Sequence, residues 1–417
     1  MVENKKAPKI RFVGFTDAWE KRKLGEVATA ITRTDSESTA PVMMISAASG
    51  FINQSDKYSS DNAGQSLEKY ILLKKGELAY NHGASKYRQY GSCFDLKVDE
   101  ARIPFVYHCF EVGNNNSDFI ARELNDPRID TQLRRLVSSG ARMDGLLNIS
   151  FEAYKTLTIS LPQNDEQDKI SAFFLMLDNL ITLHQRKYNK LVVMKKSMLE
   201  KMFPKNGSNV PEIRFAGFTD AWEQHKLGAV CTINGRIGFR GYTQKDIIAK
   251  EEGGILTFSP TNIVDNKLTL DVRNTYITEA KYNESPEIKI TNGDILFVKT
   301  GSTLGKSALV SGLEEPASIN PQIVVLRTDE NQRQLILAEL ATKGIQSQVL
   351  AVKIGGAIPT MTETKLKEVE LYLPRSLDES KKIGGYFQQL DNLITLYQRK
   401  LEKLKKIKKA MLEKMFV

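Results

Sequence analysis

Cysteine, histidine and tryptophan are scarce in this 417-residue chain, at three, four and two residues. Cys93, Cys109 and Cys231 form no CxxC pair, which excludes a disulfide framework and fits a reducing cytoplasm. His82, Cys93, His108 and Cys109 are metal-ligand types, yet no pair among them has metal-site spacing, so ordinary burial is the simpler reading. Long apolar runs are missing as well. Even FFLMLDNLITL is broken by Asp178 and Asn179, well short of the roughly 20 apolar residues of a membrane span. The start MVENKKAPK lacks the apolar core of a signal peptide, and a soluble chain is expected. There is no nucleophile elbow, HExxH, GxGxxG or aromatic-flanked Asn/Asp-Pro-Pro motif. A binding protein that holds no cofactor or metal of its own, rather than an enzyme, is the expectation.

What the chain does have, it has twice. Ile10–Gly25 (IRFVGFTDAWEKRKLG) recurs as Ile213–Gly228 (IRFAGFTDAWEQHKLG), with 13 of 16 positions identical. Asp178–Phe203 recurs as Asp391–Phe416, with 19 of 26 identical. The sequence between these blocks is far less alike. The offset between copies is 203 at Ile10/Ile213, 217 at Gly76/Gly293 and Pro104/Pro321, 212 at Leu161/Leu373 and 213 at Asp178/Asp391. Length changes of this kind belong to surface loops, so a common scaffold carries two different recognition surfaces. The net charge of +9 suits a polyanionic partner.

Within each insert, Leu72–Tyr80 and Lys289–Val298 place a turn glycine before an apolar, β-prone run. Pro104–Val112 and Pro321–Leu326 are further apolar runs entered through proline. Each insert reads as a mixed α/β domain. The duplicated C-terminal blocks read as long helices. Ile383, Phe387, Leu390, Ile394, Tyr397, Leu401 and Leu404 alternate by four and three, and Ile170 to Leu191 repeat that spacing through Phe174, Leu177, Ile181, His184 and Tyr188. That period marks a coiled-coil seam. Asn164-x-x-Gln167 and Ser376-x-x-Glu379 match capping boxes at the helix starts. A helix of about 39 residues extends roughly 58 Å. Met415-Phe416-Val417 matches Met202-Phe203-Pro204, so the N-terminus reads as the continuation of the C-terminus. Antiparallel pairing of the two helices closes that circle and gives the chain a pseudo-twofold axis. The expected segments are 1–160, a helix over 161–204, a linker and second domain over 205–372, and a helix over 373–417.

Several loops could meet DNA. In the first insert, Asn81, His82, Lys86, Tyr87, Arg88 and Gln89 offer a palette able to read base edges, with Arg134, Arg135 and Arg142 adding charge; a solvated polar loop is the plainer alternative. In the second, Arg236, Arg240, Tyr242 and Gln244 lie in a glycine-rich stretch that could equally be a tight turn. Lys299, Thr300, Ser302, Thr303 and Lys306 lie in or beside TGSTLGKS, which resembles a phosphate-binding loop but encloses three residues between its glycines instead of four. Contact with a DNA backbone or base edges fits this loop better than nucleotide binding. Tyr397–Val417 carries eight Lys/Arg against two Glu, a solvated helix face or a surface for DNA or an acidic partner. Trp19 and Trp222 read as anchors of each domain to the helix ends. Gln185, Arg186 and Lys187 recur off the seam as Gln398, Arg399 and Lys400, as if one partner docked twice.

The doubled FTDAWExxKLG opening, the Leu-Pro entry to each helix and the LDNLITLxQRK helix closely resemble the specificity subunit of Type I restriction–modification systems over essentially the whole chain. That resemblance implies two target-recognition domains, each reading half of a bipartite asymmetric DNA site, joined by two long helices in an antiparallel coiled coil. It implies double-stranded DNA, two modification (methyltransferase) subunits and restriction/translocase subunits as partners. S-adenosylmethionine and ATP/Mg then belong to those partners, and this chain is non-catalytic. It places Asn320 of INPQ (Ile319–Gln322) in the second recognition domain, and it adds Trp19 and Trp222 to the candidate partner interface. A stand-alone pseudo-dimeric DNA-binding regulator is the alternative.

Overall fold

A computed structural model describes residues 7–57, 64–137, 147–205, 207–236, 241–270, 272–355 and 358–417. The chain forms two compact units: 1–183 with 400–417, and 184–399. Helices Asn164–Lys201 and Leu377–Met415 are the longest elements, and each contributes to both units.

The first unit is built on a four-stranded sheet ordered Thr29–Ala30, His108–Glu111, Leu78–Asn81, Ser92–Asp95. The second unit repeats that order with Thr232–Asn234, Ile323–Arg327, Ile295–Val298 and Ser307–Leu309, then adds Lys267–Leu268 and Ile263–Val264 at the far edge. The shared anchors are therefore scaffold strands, and the longer insert adds an edge hairpin. The expected turn glycines sit where only glycine is comfortable, at φ +84° for Gly76 and +99° for Gly293. In both units the strand after the FTDAWE turn pairs antiparallel with the strand that feeds the long helix: Glu20–Lys23 with Thr158–Leu161, and Glu223–Lys226 with Glu370–Leu373.

Each unit has its own apolar core, and in each core the start of one long helix meets the end of the other. In the first, the Phe416 ring lies 6.0 Å from Phe174 and 6.1 Å from Trp19. In the second, Phe203 lies 5.7 Å from Phe387 and 5.9 Å from Trp222. The antiparallel sense follows from pairs further along: Lys408–Asp178 at 2.5 Å in one unit, Lys195–Asp391 at 2.6 Å and His184–Tyr397 at 5.5 Å in the other. Chain closure is explicit in the backbone. The Ile10 amide donates to the Lys414 carbonyl at 3.0 Å, as the Ile213 amide donates to Lys201 at 2.9 Å.

The capping boxes differ from expectation. The Gln163 carbonyl, not Asn164, receives the first helical amides of the first helix. Gln167 is buried and spends its amide on Pro162 O, Asn115 and the Asn116 N–H instead of closing a box. At Ser376 half of the box forms, since its hydroxyl accepts from the Glu379 N–H at 3.4 Å. The Glu379 carboxylate turns away to Arg214, at 2.6 and 2.8 Å. A bidentate guanidinium contact outcompetes one neutral backbone donor. Arg11 holds Glu166 in the same way, at 2.8 and 2.7 Å.

Candidate nucleic-acid interface

In the first unit the strand Leu78–Asn81 delivers its loop toward the end of the sheet, and several expected base readers prove to be structural. Asn81 donates to Ile45 O and the Tyr107 hydroxyl and accepts from the Gly83 amide. His82 is buried, with its ring nitrogens 2.6 Å from Leu147 O and 2.8 Å from Val106 O. Its ring stacks 5.0 Å from His108, whose own pKa burial pushes down. Arg88 donates to Gly91 O, Asn125 O and Asp130, so it braces the loop from within. These three residues already have partners within the domain. Lys86, Tyr87 and Gln89 are exposed beside them, and so are Arg134 and Arg135 near the end of the helix Pro127–Leu136. Arg142 lies outside the described residues.

In the second unit the candidates converge on one patch. The Arg236 Nε donates to Ile319 O at 3.2 Å, and its guanidinium lies 5.6 Å over the Tyr242 ring. Burial lowers the Arg236 pKa and raises that of Tyr242, whose hydroxyl also bonds Asn320. Asn320 is buried and engages Gln322 twice, through Oε1 at 3.1 Å and the backbone amide at 2.9 Å. Arg236 and Asn320 are thus the buried floor of the patch rather than its reading surface. Lys299 bonds Glu363 at 2.8 Å, and that carboxylate lies against Gly235, 2.1 Å from where a Cβ would stand. Thr300 pairs with Thr360, which docks the TGSTLGKS loop on this patch. Ser302 and Lys306 project into solvent, Thr303 is half-buried, and Gln244 is exposed past Tyr242. Arg240 lies outside the described residues. Gln322 is exposed at the centre of the patch, and only the INPQ run hinted at it.

The candidate partner faces sort differently. Trp19 is buried against Phe119 and Phe416 and donates to Glu166 at 3.2 Å; Trp222 is buried too. Both are buried between domain and helix ends, where the sequence read them as anchors. Gln185 and Gln398 are half-buried, while Arg186, Lys187, Arg399 and Lys400 are exposed. Sequence reasoning missed four residues beside them. Leu180 and Leu183 are 36% and 47% exposed, and their duplicates Leu393 and Leu396 are 41% and 45% exposed. An exposed leucine pair repeated off the seam is not needed for helix pairing. The identity of DNLITL in both copies was the available signal.

Comparison with known proteins places similarity on the second half of the chain and on the fold. Residues 219–406 match the model of the Type I restriction modification DNA specificity domain. That match runs from the FTDAWE turn of the second unit into its long helix, and the equivalent sheet order and helix contacts of the first unit make it a second copy of the same architecture. The chain is 22% identical over 284 residues to the Type I restriction enzyme MjaVIII specificity subunit of Methanocaldococcus jannaschii; the alignment spans 66% of this chain and 65% of that relative. The fold is that of the Type-I restriction-modification system S subunit from M. genitalium, at a TM-score of 0.58 and 14% identity over 99% of each chain. Among the described residues, no helix is long and apolar enough to cross a membrane.

Proposed function

We propose that this chain is the DNA-reading subunit of a Type I restriction–modification complex. Each domain reads one half of a bipartite asymmetric site, and the duplicated helix face docks two modification subunits. The reading rests on one observation: the contacts that build the frame recur residue for residue, while the exposed polar side chains do not. Arg11–Glu166 repeats as Arg214–Glu379, and Lys408–Asp178 repeats as Lys195–Asp391. By contrast, the exposed polar residues are Lys86, Tyr87 and Gln89 on one domain and Ser302, Lys306 and Gln322 on the other. Different donors and acceptors select different base edges. Identical leucine pairs invite identical partners.

The chain's part is recognition. Lysine and hydroxyl side chains engage phosphates and set register, and glutamine reads base edges. Methyl transfer and ATP-driven steps fall to the partners, which supply S-adenosylmethionine and ATP/Mg. Co-expression with the modification subunit, sizing of the complex and methylation-sensitive sequencing of host DNA test the proposal together. Two partners per chain and a methylated bipartite motif are expected. DNA binding without partner capture points to a stand-alone regulator instead.

A further inference from the structure

The strand pairing that docks the TGSTLGKS loop also carries two isoleucines outward. The arms 353–355 and 358–361 are joined through Ile354 and Thr360, each donating its amide to the other's carbonyl, at 2.8 and 2.9 Å. The second arm is tied in turn to the loop strand: Gly301 N–H donates to Pro359 O at 2.9 Å and Met361 N–H to Lys299 O at 2.8 Å. Gly355 has φ +88°, and a Cβ there would stand 2.8 Å from Ile358 O, so the arms close tightly. Beside these contacts Ile354 is 57% exposed and Ile358 is 64% exposed. Residues that could have been polar at no cost to the core are instead large, β-branched and apolar.

Their surroundings identify the occupant. Stretch 341–362 holds Lys343 and Lys353 and no Asp or Glu; stretch 295–312 holds Lys299 and Lys306 and no Asp or Glu. Lys306 and Lys353 are exposed, and Gln322 lies against Gly301, its Nε2 3.6 Å from where a Cβ would sit. Lys299 is already paired with Glu363 and Lys343 with Glu200, which leaves Lys306 and Lys353 as the exposed cations. An apolar knob flanked by two exposed lysines, beside an exposed amide, is a composition able to unstack a base step while the lysines hold phosphates. A protein partner would gain from the isoleucines but would have to bring carboxylates of its own to match Lys306 and Lys353.

We infer that Ile354 and Ile358 form a wedge that enters a base step in or next to the half-site read by the second domain. This rests on the DNA-reading function proposed above and adds a residue-level device to it. Part of the specificity then comes from how easily a step unstacks, not only from base edges.

The test uses the chain co-purified with its methyltransferase subunits and duplexes of the methylated motif, with 2-aminopurine placed at successive steps of the second half-site. Wild type is expected to raise the fluorescence at one step. Ile354→Ser/Ile358→Ser should abolish that rise and weaken specific binding at least tenfold, while leaving discrimination at the first half-site unchanged. Ile354→Met/Ile358→Met, which keeps an apolar knob, should restore both. Wild-type specific binding without any fluorescence rise, or a serine variant that binds and unstacks like wild type, overturns the wedge and leaves the DNA-reading function standing. Loss of partner subunits from the serine variant, with DNA contacts intact, assigns the knob to a protein interface and also overturns it. No sequence-selective DNA binding by wild type overturns both readings.

Discussion

Lys195 donates to the Asp391 carboxylate at 2.6 Å, and both residues belong to the same compact unit although they come from different halves of the sequence. Lys408 and Asp178 make the equivalent bridge at 2.5 Å in the other unit. A duplicated sequence has become duplicated helix pairing, because each helix begins in one unit and ends in the other. Both bridges are partly solvated. A double-mutant cycle with Lys195→Ala and Asp391→Ala should therefore give a coupling of about 1 kcal/mol. The Lys408/Asp178 cycle should give a similar value, and the two should add independently in denaturant unfolding.

The Arg–Glu pairs at the helix starts are more deeply set. Glu379 and Glu166 are both 1% exposed. Removing an arginine leaves a buried carboxylate uncompensated, a loss of about 3–5 kcal/mol. The two sites differ in one respect: Trp19 donates to Glu166, whereas Trp222 Nε1 has no partner among the described residues. Arg214→Ala is therefore expected to destabilise its unit more than Arg11→Ala. Hydrogen exchange of each unit resolves the difference, and equal losses would refute the role of the indole.

Each domain also buries a carboxyl against the strand that feeds its long helix, Glu123 with Arg128 3.6 Å away and Glu339 with no ion pair among the described residues. Glu123 accepts from the Ser160 amide at 3.0 Å, and Glu339 accepts from Tyr372 at 2.7 Å. Burial pushes the first up to about 7 and the second up to about 8. The folded state then holds protons that the unfolded chain releases near pH 4.5, so stability falls as pH rises from there toward pH 7–8 and levels off above. Glu339→Gln keeps the acceptor and removes the charge. It should flatten this decline and raise stability at pH 9 by a few kcal/mol, read from urea midpoints across pH. A variant with an unchanged pH profile would show that Glu339 is not the group responsible.

Leu180/Leu183 and Leu393/Leu396 are exposed, so serine at either pair should change the stability of the isolated chain by less than about 0.5 kcal/mol. In the co-expressed complex each double variant should lose one modification subunit and keep the other, which mass measurement of the intact complex would detect. Retention of both partners by both variants would move the docking face elsewhere.

Lys306 and Gln322 should separate phosphate from base contacts. Lys306→Ala is expected to weaken binding equally across sequences and to reduce the salt slope by about one, whereas Gln322→Ala should relax discrimination at one position of the second half-site by about 1–3 kcal/mol. Competition binding at several salt concentrations distinguishes the two.

Sequence alone determined the duplicated frame, the seam and the chain closure, because these depend on local period and on identity between copies. The seam residues Ile170, Phe174 and Leu177, and their counterparts Ile383, Phe387 and Leu390, are buried as their spacing required. Only the tertiary structure decided which polar residues are free to meet a ligand. Arg88 and Arg236 look like readers in one dimension, yet each spends donors on backbone carbonyls distant in sequence, and buried Asn320 spends its amide on nearby Gln322. Leu180 and Ile358 look like core residues and stand in solvent. Composition sets what a side chain can bond; only the packed chain sets what is already bonded, because a buried donor must find its acceptor wherever the fold places one.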